Sequence, residues 1–260
     1  MSGRVGVLVF PGTNSEEETL RACRAVDLDA SLVPWNADLA VARGYDAYVL
    51  PGGFAYEDRV RAGAIAAHDN LMTAVRAGAE AGLPILGICN GAQILLESGL
   101  VPALDDRLRA QAGFARNAPQ GRYRSTHVHV KLAIPPERCS ITASLTPGIV
   151  LPAWASHGEG RLAAQPDVLQ RLQREQHVAF VYCDAAGVAG GVPNGSALGA
   201  AALVNARGNV LALMPHPERA AWTYMRQGEV RERARGDVAA MLASGGGMAL
   251  FAGLAQACRS

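Results

Sequence analysis

The feature that most constrains this chain is the spacing of its short, uninterrupted apolar runs. Arg4 to Phe10, Ala30 to Pro34, Tyr45 to Leu50 and Leu83 to Ile88 are each only a few residues long. They carry no polar alternation, so each reads as a strand buried on both faces. Between them stand helix signals. Asn14 and Ser15 are good caps, and Glu16, Glu17 and Glu18 suit the positive end of a helix running to about Val26. Gly63 to Ala81 and Asn90 to Ser98 read as two more helices, the latter stopped by Gly99. The order β-α-β-β-α-β-α predicts an α/β fold: a three-layer, open, mainly parallel sheet with helices on both faces. In such sheets ligands lie at the carboxyl ends of the strands.

The second half changes character. Strands are expected at Thr126 to Ile134, Ile149 to Ala155, Val178 to Cys183, Gly199 to Asn205 and Asn209 to Leu213. Arg207-Gly208-Asn209 is the turn of a hairpin, and Asn194-Gly195 marks a second turn. Helices are expected at Gln165 to Glu175 and at the C-terminus, ending near Cys258. Residues 103–121 are the most loop-like stretch and are expected to be mobile. No linker or repeat divides residues 1–260, which read as one domain.

Composition removes several classes of function. The net charge of +1 comes from interspersed residues, which argues against a nucleic-acid partner. No segment has a signal-peptide layout, and Met248 to Cys258 is too short to span a bilayer, so a cytoplasmic protein is expected. The five cysteines are scattered and form no CxxC pair, so neither a disulfide framework nor a metal site is expected. Four of them read as small buried hydrophobes.

Cys89 is the exception. Gly87-Ile88-Cys89-Asn90-Gly91 lies between a buried strand and a helix, the layout of a nucleophile elbow, with the flanking glycines read as permitting the sharp turn. At a helix start the dipole favours a thiolate, and the Asn90 amide is placed to donate to an oxyanion. Such a nucleophile needs a base. His68 and His177 read as solvated surface residues, and His127 and His129 alternate along a strand without further ligands. Two histidines remain, each with a glutamate two residues on: His216 with Glu218, and His157 with Glu159. Pro217 biases His216 toward extended backbone, where residues i and i+2 face the same side. His216 also follows an apolar strand, which favours it, whereas glycines loosen the His157 pair into a loop near the site. Pro51-Gly52-Gly53-Phe54 supplies a third element, since the amide of Gly53 or Phe54 is placed to complete an oxyanion hole. Asp58 and Arg61 follow closely and are placed to hold that loop.

Taken together, Pro-Gly-Gly, Gly-x-Cys-x-Gly and Pro-His-Pro-Glu resemble the class I (triad) glutamine amidotransferases. The strings Cys89-Asn90-Gly91-Ala92-Gln93, His157-Gly158-Glu159-Gly160 and Met214-Pro215-His216-Pro217-Glu218-Arg219 are similar to the branch of glutaminase subunits that serve phosphoribosylformylglycinamidine synthase in purine biosynthesis. The resemblance implies catalytic roles for Cys89, His216 and Glu218, oxyanion contacts from Gly53 or Phe54 and Asn90, and a hold on the glutamine side chain by Gln93. It implies a larger synthetase subunit as partner, often with a small accessory subunit. The chain has no recognisable ATP loop, so ATP and Mg would be used by that partner and no cofactor by this chain. The rival readings are a class I amidotransferase serving another synthetase, a related cysteine hydrolase, and a non-enzymatic subunit that keeps the fold. The chain departs from the family at Glu57, where Gly is usual, at Ala92, where Phe is common, and in residues 103–121, which look longer than usual. The arginine of an F-x-x-R-like element is missing or displaced near Tyr123-Arg124-Ser125-Thr126.

Overall fold

The computed structural model describes residues 2–105, 108–225 and 238–259. The first half follows the expected order with one short helix added between the second and third strands. Strand β1 (Arg4–Val9) leads into α1 (Glu16–Arg24), β2 (Asp29–Pro34), the short α2 (Leu39–Ala42), β3 (Ala47–Leu50), α3 (Met72–Glu80), β4 (Ile85–Ile88) and α4 (Asn90–Glu97). Helix α1 carries its three glutamates in the first turn and Arg21 and Arg24 in the last, matching the helix dipole at both ends. Ser15 is its N-cap by position, but its side chain makes no capping bond and is held by other partners.

The second half holds β5 (Ala112–Ala115), β6 (Arg124–Leu132), β7 (Val150–His157), β8 (Arg161–Ala164), α5 (Pro166–Arg174), β9 (Val178–Cys183), β10 (Ala200–Val204) and β11 (Val210–Leu213). Two helices close the chain, α6 (Val238–Leu242) and α7 (Met248–Ala257).

Nine strands form one sheet in the order β2-β1-β3-β4-β11-β10-β9-β6-β7. The first five are parallel to one another, and every pairing from β11 onward is antiparallel. Helix α1 packs on β1, β2 and α7, while α4 packs on β3, β4 and β11. The central strands β3, β4, β10 and β11 are buried along their whole length, the outcome expected of continuous apolar runs covered on both sides.

Four expectations need correction. Residues 63–81 are not one helix: a single 3₁₀ turn at Ala66–His68 stops at Asp69, which turns extended and whose carboxylate accepts from the Leu71 amide ahead of α3. That local bond offers the backbone an alternative to continued helix. Residues 103–121 are not all loop, because β5 pairs antiparallel with β8; Asp106 and Arg107 of this stretch lie outside the described residues. His177 is buried rather than solvated, with Nδ1 bonded to the Val204 carbonyl. Arg61 pairs bidentately with Glu97 on α4 instead of holding the glycine loop.

Candidate active site

The parallel register places the site. Gly87 of β4 lies opposite Leu50 of β3, and Ile88 lies opposite Leu213 of β11. Pro51-Gly52-Gly53, Cys89 and Met214-Pro215-His216 therefore leave the carboxyl ends of three adjacent strands side by side. The Cys89 amide is tied to the Leu213 carbonyl at 2.8 Å, which locks the elbow to the histidine strand. A fourth piece comes from the far edge. β7 is separated from β11 by three strands in the sheet order, yet Trp154 and His216 exchange both backbone hydrogen bonds. The antiparallel half thus curls back, and Ser156 and His157 arrive beside Cys89. Cys89 Sγ faces the Ser156 carbonyl at 3.7 Å.

The elbow is built differently from its sequence logic. Cys89 itself carries the unusual backbone, φ 50° and ψ −105°, while neither flanking glycine has positive φ. The glycines serve close approach instead. A Cβ on Gly91 would lie 1.9 Å from the Leu50 carbonyl oxygen, and one on Gly87 2.7 Å from the Gly91 oxygen. Strain on a non-glycine residue persists only where the surroundings over-determine it, and here two backbones in contact do so.

His216 is 2% exposed and Glu218 fully buried. The backbone between them is not extended: Pro217 is helical, with φ −73° and ψ −29°, and Glu218 begins a 3₁₀ turn. The carboxylate nevertheless reaches back to bond His216 Nδ1. That bond fixes the proton on Nδ1 and leaves Nε2 to meet the thiol. Burial opposes charge on His216, but the carboxylate of Glu218 and the neighbouring Cys89 sulfur outweigh it and hold the imidazole's pKa above its usual value. The arrangement can accept a thiol proton and keep it.

Around this core, Asn90 and Gln93 of α4 are buried. Asn90 Oδ1 accepts from the Ala55 amide, and its Nδ2 donates to Asp58 Oδ1 and to Gln93 Oε1. Gln93 Nε2 donates to the Glu159 carbonyl at 2.6 Å. Both ends of the Gln93 amide are thus engaged within the protein. The Phe54 amide is also committed, to the Gly12 carbonyl at 2.9 Å, so of the two expected donors in that loop only Gly53 remains a candidate for the oxyanion contact, beside the Asn90 amide. Asp58 does brace the loop, through Asn90.

His157 does not pair with Glu159. Its Nδ1 bonds Asn117 Oδ1 at 3.2 Å, and the Asn117 amide nitrogen donates to the carbonyls of Arg122 and His157. Asn117 is the organising residue that sequence reasoning missed. It sits in the loop-like stretch, where an asparagine carries no signal of its own. Glu57 lines neither cavity at Cys89: it is exposed, ion-paired with Arg59, and held at φ 59°, a conformation glycine adopts more readily.

Two cavities meet at Cys89. One of about 210 Å³ is lined by Asp58, Gln93, His157, Glu159 and Gly53. The other, about 60 Å³, lies on the His216 side against Asn14 and Arg219. Phe54 and Tyr123, both partly exposed, border each. Among the described residues no group of three or more metal-ligating side chains converges.

Strand-end placement, a strained cysteine elbow and a buried histidine–carboxylate pair are the arrangement expected of a glutamine amidotransferase, and sequence comparison assigns the chain to that class. The model of the CobB/CobQ-like glutamine amidotransferase domain matches residues 2–251. Phosphoribosylformylglycinamidine synthase subunit PurQ of Symbiobacterium thermophilum is 46% identical over 222 residues, covering 84% of this chain and 88% of that protein. PurQ of Bradyrhizobium diazoefficiens is 37% identical and covers 97% of each. Among solved structures, PurLQS from Thermotoga maritima superposes with a TM-score of 0.74 at 28% identity, covering 98% of both chains. The chain belongs to the PurQ family of glutamine amidotransferase subunits.

Proposed function

We propose that this chain is the glutaminase subunit of phosphoribosylformylglycinamidine synthase, with Cys89 as nucleophile, His216 as base and Glu218 as the group that orients it. The observation that carries the reading is the juxtaposition of Cys89 and the His216–Glu218 pair at the ends of adjacent strands β4 and β11.

His216 Nε2 takes the thiol proton, and Sγ attacks the side-chain carbonyl carbon of glutamine. The amides of Gly53 and Asn90 receive the oxyanion. Collapse breaks the carbon–nitrogen bond, His216 returns the proton, and ammonia leaves. A water, deprotonated by His216, then cleaves the γ-glutamyl thioester and releases glutamate. Gln93 ties the wall of the glutamine cavity to Glu159. Relatives named as subunits, and a neighbour solved as PurLQS, support a synthetase subunit as partner. That partner uses the ammonia, with ATP and Mg, to convert formylglycinamide ribonucleotide to its amidine. Among the described residues no helix is long and apolar enough to cross a membrane, and the proposed location is the cytoplasm.

The test is amidine formation by the assembled complex, comparing glutamine with ammonium as nitrogen source. Glutamine use should require this chain and vanish in Cys89→Ala, while ammonium still serves. A synthetase that uses ammonium but is never enabled for glutamine by this chain would overturn the purine reading.

A further inference from the structure

The larger cavity at Cys89 gathers two carboxylates and a histidine on one lining. Asp58 and Glu159 both line it, and no lysine or arginine does. Asp58 accepts from Asn90 Nδ2 at 3.2 Å. Glu159 accepts a long contact from the Ala62 amide at 3.4 Å, pairs loosely at 3.8 Å with Arg116, whose side chain is 83% exposed, and feels the charge of Arg61, which is itself committed to Glu97.

The third acceptor is independent of these carboxylates. His157 is 3% exposed, lines the same cavity, and its Nε2 has no partner. Because the Asn117 amide nitrogen already serves two carbonyls, Asn117 presents its oxygen to His157 Nδ1. The ring proton therefore sits on Nδ1, and Nε2 is a bare lone pair. Burial, helped by nearby His216, lowers the His157 pKa to about 4 and keeps the ring an acceptor at neutral pH. Burial, then the neighbouring charge of Glu159, raises the Asp58 carboxyl to about 6. The site without substrate therefore holds two mutually repelling carboxylates and an unsatisfied lone pair.

We infer that Asp58, Glu159 and His157 Nε2 form the subsite for the α-ammonium of glutamine, selecting an α-amino acid over a plain carboxamide. An ammonium brings three donors and one positive charge, which complements three acceptors and an acidic pair with no cation inside the cavity. Glutamine with its side-chain carbon at Cys89 has its α-ammonium a few bonds farther along the same cavity. Gln93 supports the subsite by holding the Glu159 backbone. These residues bind and position substrate, while the proton transfers stay with His216.

This inference rests on the glutaminase reading. Its test uses the complex with the synthetase subunits and two amides, glutamine and glutaramate, which is glutamine without its α-amino group. Asp58→Asn and Glu159→Gln, each alone, should lower kcat/KM for glutamine about 10- to 100-fold, chiefly through KM, as expected for a lost charge-assisted bond. The preference for glutamine over glutaramate should shrink by that same factor; a single cooperative thermal unfolding transition shows that the variant is folded. Calorimetric titration of the Cys89→Ala complex gives a second readout: adding Asp58→Asn should weaken glutamine binding at least about tenfold more than glutaramate binding. Equal losses for both amides, or no loss for either, would overturn the subsite while leaving the triad standing. A wild-type complex that uses ammonium but neither amide would remove the glutaminase reading and this inference with it.

Discussion

Replacing Asp58 by Asn should stabilise the protein in a pH-dependent way. Its carboxyl is raised from 3.8 to about 6, first by burial and then by Glu159. A carboxyl whose pKa is higher in the folded state binds more protons there than when unfolded. Stability is then highest below the unfolded value, near pH 4, and declines as pH rises to about 6, staying lower above it. A shift of roughly two units corresponds to about 3 kcal/mol without screening. Asp58 is only about half buried, so solvent screening reduces this to about 1 kcal/mol. Asn removes the ionisation and can still accept from Asn90 Nδ2. In a chain of this size that is a gain of roughly 2–4 °C in Tm. Thermal unfolding of Asp58→Asn against wild type should show that gain at pH 8, diminishing to nothing at pH 3.5. A Tm difference that is independent of pH, or a loss at pH 8, would refute the reasoning. Stability gained where glutamine affinity is lost is the pattern expected of a group kept for binding.

Three further outcomes follow from the geometry. Glu218→Gln removes the charge that sustains His216 as an imidazolium, so glutamine-dependent kcat should fall about 10³- to 10⁴-fold with ammonium use intact; a loss under about tenfold would contradict the role. Gly91→Ala drives a methyl group to 1.9 Å from the Leu50 oxygen and should cost about 3 kcal/mol or more in denaturant unfolding; a cost below about 1 kcal/mol would mean that α4 and β3 can separate freely. Asn117→Ala strips partners from His157 Nδ1, the Gly160 amide and two carbonyls. It should cost about 2–4 kcal/mol and raise the KM for glutamine, both readable from Tm and from steady-state kinetics.

The parallel half was legible because buried strands and helices leave different periodicities, and the elbow because its spacing is local. β11 and the histidine after it were legible for the same reason. What sequence could not supply was contact between distant segments. The return of β7 to His216 depends on curling of the antiparallel half, and it converts His157 from a loop residue into a buried wall of the cavity. Asn117 acquires its role only from that return. The His216–Glu218 pair was read correctly as a pair but through the wrong backbone, since Pro217 enters a helical turn. The break in residues 63–81 was signalled by Asp69, whose capping preference competes with the apolar pattern around it.

The central claim is that Cys89 carries the glutamyl group. The most direct test is to quench the working complex during turnover with isotopically labelled glutamine, digest it, and locate the label by mass spectrometry. The account predicts a labile γ-glutamyl thioester on the Cys89 peptide, absent in Cys89→Ala and accumulating where the hydrolytic step is slowed. Rapid glutamine turnover with no adduct at Cys89, or an adduct on Cys183 or Cys258 instead, would contradict it.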